Sequence, residues 1–193
     1  MRLVEAAERV IAASGLPELR ARDLAHAAGC SVGAIYSVFT TLDALIMAVN
    51  DRTLSALQGA IEAEAWPTAP EAQLVGFAAS YLDFAAQHRN RWAALFQHRL
   101  PPGQTVSAEY AARQTSVFGR VAEPVAALCP GLSEAELSRL TQTLFSAVHG
   151  IVALGLEEKL GPVALSVLHA QLRWMVDAMA RGLRSQTASS GEP

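Results

Sequence analysis

Cysteine is scarce, with Cys30 and Cys129 the two in 193 residues. They lie far apart and match no metal-ligand or redox spacing, so both read as free thiols in a reducing compartment. Long apolar runs are also missing. The longest, around Phe145 to Leu156, is broken by His149 and is too short to span a bilayer. No signal-peptide pattern precedes the first amphipathic segment. A soluble, cytoplasmic protein with no membrane partner is therefore expected. Basic charge is not in surplus either: the formal net charge is −3 and the pI about 5.9. No run of alternating β-branched residues marks a strand, so the expected fold class is all-α. No nucleophile elbow, phosphate loop or pair of carboxylates in an apolar setting is found. The sequence thus predicts neither an enzyme nor a cofactor. His26, His88, His98 and His169 form no pair at helical spacing, which leaves a helical metal site without support.

Apolar residues are plentiful, at 51% of the chain, ample for a core without staples. The most informative stretch runs from Asp23 to Leu45. Leu24, Ala25 and Ala28 give one helix an apolar face; Gly29 can take φ > 0 at its end, and Ser31 is a good N-cap for the next helix. Within that second helix Val32, Ile35 and Phe39 turn inward. Gly33, Ala34, Tyr36 and Ser37 turn outward, a small and hydroxyl-bearing face suited to close approach. A helix-turn-helix of this kind lays its second helix in the major groove and leads with its N-terminal residues.

The order Ala25, Ala28, Gly29, Ser31, Gly33, Ile35, Tyr36, Phe39, Thr40, then Leu42 to Leu45, closely resembles the DNA-binding domain of the tetracycline-repressor (TetR) family over roughly the first fifty residues. The resemblance implies that Ser31, Gly33, Ala34, Tyr36 and Ser37 read the groove while Arg20, Thr40 and Thr41 hold phosphates. Three positions depart from the pattern. Arg20 stands where relatives usually cap the second helix with threonine, Val38 where a histidine is common, and Leu42 where a lysine often points at the DNA. Charge agrees with a head poor in ionic contacts: Arg2, Arg9, Arg20 and Arg22 face Glu5, Glu8, Glu18, Asp23 and Asp43. Either binding relies on backbone amides, hydroxyls and a few well-placed arginines, or the protein binds DNA weakly and with a shallow salt dependence.

Along the chain, residues 2–14 read as a first helix with Leu3, Ala6, Ala7, Val10 and Ile11 inward, ended by Ser14-Gly15-Leu16-Pro17. Leu42, Leu45, Ile46, Val49, Leu57 and Ile61 continue one long helix to about Glu64, stopped at Trp66-Pro67. Helices follow at 71–88, from Asn90 to about Gln97, and at 105–128. Ser133 and Glu136 form a capping box that opens a helix to about Lys159, and the last helix follows Gly161-Pro162. The domain expectation is a helix-turn-helix head at 1–50, an effector-binding and dimerisation body at 51–184, and a disordered serine-rich tail at 185–193.

Two seams in the body have helical spacing: Leu144, Val148 and Ile151, and Leu165, Leu168, Leu172, Met175 and Met179. They could finish an intrachain core or meet a second subunit. The resemblance implies the second use, a homodimer closed by a four-helix interface, whose symmetry suits a pseudo-palindromic double-stranded operator. Tyr81, Phe84, Trp92, Phe96, Tyr110, Phe118 and His149 bring aromatic bulk and polar tips for a pocket that takes a small hydrophobic effector. His149 reads equally as a neutral pocket group or as a core histidine bonded to a backbone carbonyl. Trp92 with His149-Gly150 resembles a TetR subgroup marked by tryptophan and a histidine-glycine pair. The function expected is an effector-responsive transcriptional regulator, a repressor if the ligand releases DNA. The alternative is a helical small-molecule sensor with a vestigial head.

Overall fold

The computed structural model describes residues 2–189, with side chains to residue 185. Nine α-helices are found among the described residues: α1 Arg2–Ser14, α2 Ala21–Ala28, α3 Val32–Val38, α4 Leu42–Glu62, α5 Pro70–Gln87, α6 Arg89–Gln97, α7 Ala108–Leu128, α8 Glu134–Leu156 and α9 Leu165–Ser189. A single 3-10 turn, Leu16–Glu18, follows α1. Among these residues no single helix is long and apolar enough to cross a membrane. Cys30 and Cys129 are both free thiols.

The helices pack into two units, residues 1–59 with 87–114, and residues 60–86 with 115 onward. The first unit is larger than the head expected at 1–50, because α6 belongs to it. Ala94 of α6 is fully buried with Ala6, Ala7 and Ile11 of α1 and with Ile35, Leu45 and Val49. Asn90 at the start of α6 donates to the carbonyl of Ala12 at 2.9 Å. Glu8 of α1 then binds two arginines at 2.9 Å each, Arg52 of α4 through one oxygen and Arg91 of α6 through the other. Arg91 also reaches the buried Thr53 hydroxyl at 3.4 Å.

In the second unit α5, α7, α8 and α9 share a core in which Leu74, Phe77, Val121, Leu144, Val148 and Val176 surround a void of about 10 Å³. The Ser133 capping box opens α8, with the hydroxyl accepting from the Glu136 amide while the Glu136 carboxylate takes the Ser133 amide. The helix ends at Leu156 rather than Lys159. Glu158 there adopts φ 55 and the Lys159 amide turns back to the Leu154 carbonyl at 3.0 Å, a left-handed stop built without glycine. Pro124 is accommodated inside α7.

The expected dimer seams divide. Leu144, Val148, Leu168 and Leu172 are buried within one chain, whereas Ile151, Met175 and Met179 are half-buried and Leu165 is 42% exposed. The inward stripe of α9 is Leu168, Leu172, Val176 and Ala180, stepping by four, because α9 lies along α8 and needs only one narrow apolar line there. The tail is also corrected in part: α9 continues to Ser189, since Ser185 to Ser189 contains no glycine or proline to stop it. Residues 190–193 of that expected tail lie outside the described residues.

Gly155 in α8 marks where α9 comes closest. A Cβ at this position would overlap the Leu168 methyl carbons, and Leu168 is itself buried. Gly155→Leu is therefore expected to destabilise by about 2–3 kcal/mol through overpacking, despite leucine's better helix propensity. Thermal unfolding should show a melting temperature about 4–12 °C lower. Combining it with Leu168→Ala should cost less than the sum of the two single changes, as expected for groups competing for one space.

Candidate nucleic-acid interface and cavities

The turn between α2 and α3 is built by local chemistry. Gly29 adopts φ 66, its amide bonds to His26, and the Cys30 amide reaches back to the Ala25 carbonyl at 2.9 Å, which satisfies the last carbonyls of α2. Ser31 then caps α3, its hydroxyl accepting from the Ala34 amide at 3.2 Å. Arg20 occupies the cap position of α2 but makes no side-chain cap; its guanidinium instead lies 3.7 Å from Glu18 in an exposed pair. Thr41 caps α4 by accepting from the Ala44 amide at 3.0 Å.

These caps leave one surface to solvent. Ile35 is fully buried, with Val32 and Phe39 packed partly against the same core. Ser31, Gly33, Tyr36, Ser37 and Thr40 are exposed, and Ala34 and Thr41 are half-buried. Ser37 donates its proton to the Gly33 carbonyl at 3.0 Å, so its hydroxyl oxygen faces outward chiefly as an acceptor. Val38, not among the expected readers, is 67% exposed, beyond Tyr36 at 46%. The helix thus presents neither a charged nor an amide side chain. Hydroxyls, backbone and apolar contacts are what it can offer to base edges, the last of these matched by the thymine methyl group.

The seven aromatic and histidine candidates fall in both units, Trp92, Phe96 and Tyr110 in the first and Tyr81, Phe84, Phe118 and His149 in the second. In the second unit Tyr81 Oη lies 2.9 Å from His149 Nδ1, and Tyr81 is fully buried. Phe145, absent from the expected set, stands between them: it meets Tyr81 edge-on at 5.5 Å, stacks on His149 at 5.8 Å and meets Phe118 at 4.8 Å. Its position four residues before His149, on the same face of α8, was the available signal. Phe84 is buried in the same unit. Trp92 and Phe96 belong to the first unit, where their rings pair at 5.5 Å. Tyr110 also belongs to the first unit and lines a different space.

That space is a cavity of about 580 Å³ walled by Ala44, Met47, Ala48 and Asp51 of α4, by the segment from Leu100 to Ser107, and by Glu109, Tyr110 and Arg113 of α7. Arg113 bonds Asp51 across it at 3.1 Å. Burial, helped by the nearby Asp51 charge, raises the Tyr110 pKa. A second depression, about 620 Å³, lies on the outer side of α8 and α9 and is mostly apolar, with Gly150, Ile151, Leu154, Leu160, Trp174 and Met175 among its walls. Trp174 there is 72% exposed. No cluster of three or more metal-ligating side chains occurs among the described residues. His98 and His169 are instead paired with Asp43 and Asp83, at 2.9 Å each.

Residues 3–49 match the family model described as bacterial regulatory proteins, tetR family, and residues 74–179 match that described as tetracyclin repressor-like, C-terminal domain. No curated protein sequence matches. Among solved structures, a protein of unknown function from Rhodococcus sp. RHA1 has TM-score 0.73 and 24% identity, covering 94% of this chain and 93% of that one. A possible TetR family transcriptional regulator from Streptomyces coelicolor A3(2) has TM-score 0.67 and 18% identity over 95% of this chain and 98% of that one. The regulator FadR from Bacillus subtilis, solved with stearoyl-CoA, has TM-score 0.63 and 16% identity over 91% and 96%. At these identities the likeness is one of fold.

The Tyr81–His149 pair has a pH consequence. Burial lowers the His149 pKa below its ordinary 6.5, against a smaller opposing pull from Glu157. Its folded-state value is thus below the unfolded one, so the unfolded chain binds the proton first. Stability contributed by neutral His149 is present above about 6.5 and is lost as pH falls from there toward the folded pKa. The melting temperature should fall between pH 7.5 and 5.5, and His149→Gln should flatten that slope.

Proposed function

The chain belongs to the TetR family of bacterial transcriptional regulators, which bind DNA and are not enzymes, and on that premise we propose that it is an effector-responsive repressor, binding a pseudo-palindromic operator as a homodimer and released by a small hydrophobic ligand. The observation that carries the DNA-binding part is the Ser31-capped α3 with Gly33, Tyr36 and Ser37 exposed, followed by Thr40 and the Thr41 cap of α4. The proposed readers are Ser31, Gly33, Ala34, Tyr36 and Ser37, with Arg20, Thr40 and Thr41 at phosphates.

Dimerisation is supported by the apolar outer face of α8 and α9. Ile151, Leu154, Leu160, Trp174 and Met175 lie beside one depression, a concentration of exposed apolar surface that a second copy would cover. This reading shifts the interface from the inward seam to the outward face. Of the residues first expected there, Ile151, Met175, Met179 and Leu165 keep accessible area, while Leu144, Val148, Leu168 and Leu172 support them from inside.

The effector part rests on the ring cluster around Tyr81, Phe118, Phe145 and His149, an apolar setting with one buried polar pair. Its neighbouring void of about 10 Å³ is too small for a ligand, so binding must part the rings. A ligand that binds this opened form better than the DNA-competent form shifts the equilibrium by that difference in affinity.

Selection of random duplex DNA by the purified protein at two salt concentrations tests the regulator reading. Enrichment of an inverted repeat is expected, with a shallow salt slope that reflects few neutralised phosphates. Absence of enrichment with and without candidate ligands would move the sensor module with a vestigial head to first place. Sedimentation should give twice the 20.5 kDa chain mass. Trp174→Asp is expected to yield a folded monomer that no longer selects the repeat, because the charge would be buried unpaired in the interface.

A further inference from the structure

The cavity beside α4 has the chemistry of a binding site distinct from the ring cluster. Ala44, Met47, Ala48 and Asp51 recur at steps of three and four and so share one face of α4. This face is tied at both ends: Asp43, one residue before Ala44, bonds His98, and Asp51 bonds Arg113. Between the ties lies a space of about 580 Å³, within the range of small-molecule sites.

Its lining is divided. Met47, Leu100 and Val106 with the two alanines supply apolar wall, while Gln104, Thr105 and Ser107 supply hydrogen-bonding groups. Two carboxylates, Asp51 and Glu109, face one guanidinium, Arg113. Since Arg113 is held by Asp51, the Glu109 carboxylate is left to set the sign of the cavity. Tyr110 is 6% exposed and lines the cavity, so its ring adds an aromatic wall and its hydroxyl a polar tip there.

We infer that this cavity binds a small organic cation carrying an apolar arm, an ammonium or guanidinium amphiphile. The cation sits against Glu109 and Asp51 and the face of Tyr110, and the arm lies on Met47, Leu100 and Val106. An anion would have to displace Asp51 from Arg113 and approach two carboxylates. A purely apolar ligand would cover Gln104, Thr105 and the Glu109 carboxylate without compensation. Because the walls include α4, the helix that directly follows α3, such a ligand acts on the DNA-reading unit itself. Ligand and DNA affinities are then coupled reciprocally.

Binding is measured on the whole protein without DNA, so its outcome is independent of the regulator reading. Octyltrimethylammonium, octanol and octanoate, each below its micellar concentration, are titrated calorimetrically. Saturable binding of the cation about tenfold tighter than octanol is expected, with octanoate weakest, as one charge-assisted contact implies. Glu109→Gln, an exposed change that leaves the core untouched, should weaken the cation about three- to tenfold and leave octanol unchanged. Ala48→Phe, which fills the cavity, should abolish binding while the circular dichroism of the helices is retained. Octanoate binding as tightly as the cation, indifference to Glu109→Gln, or only linear, unsaturable uptake overturns the inference.

Discussion

Glu8 is the point on which the first unit depends. One carboxylate on α1 receives Arg52 from α4 and Arg91 from α6, and Arg91 continues to the buried hydroxyl of Thr53. The group is only partly exposed, so losing one member strands charge that has already been desolvated. Around it Ala6 and Ala7 of α1 and Ala94 of α6 are small residues that let these two helices approach closely, and the long Arg52 side chain reaches Glu8 from α4. The position of α4, and with it the surface that Thr41 and α3 present, follows from this arrangement. On the remaining face of α4, Asp43 bonds His98 and Asp51 bonds Arg113, and the cavity lies between these two contacts.

The helices were legible in the sequence because their signals are local. Ser31, the Ser133–Glu136 box, Gly29 and Trp66-Pro67 each act within a few residues, and the structure places helix ends at or within a few residues of where they point. What escaped the sequence depends on contacts between segments. Assignment of α6 to the first unit rests on Ala94 and Asn90 meeting α1, far away in the chain. The aromatic residues were read as one set because periodicity shows which face of a helix is apolar and not which helix it meets. Tyr81, Phe118 and His149 came together through Phe145, while Trp92, Phe96 and Tyr110 joined the other unit. The same limit explains the seams: steps of three and four describe an inward stripe and an outward one equally well.

The character of the reading surface follows from what α3 lacks. Without an amide or a guanidinium on the helix, the proposed recognition would draw on the acceptor of Ser37, the backbone at Gly33 and the apolar edge from Tyr36 to Val38. Such contacts are short-ranged, so they demand close fit and lend weight to the shape and deformability of the duplex. The acid-leaning charge of the head works in the same direction by limiting nonspecific attraction to DNA.

The notch at Gly155 has a consequence for how this sequence can change over time. Leu168 occupies the room that the missing side chain leaves, so the two positions behave as a key and its slot and set the register of the last two helices. Neither can drift alone: a larger residue at 155 needs a smaller one at 168, and the intermediate sequence carries the cost. Among descendants of this chain, the pair should therefore be inherited together or exchanged together, a historical constraint written into one contact between adjacent helices.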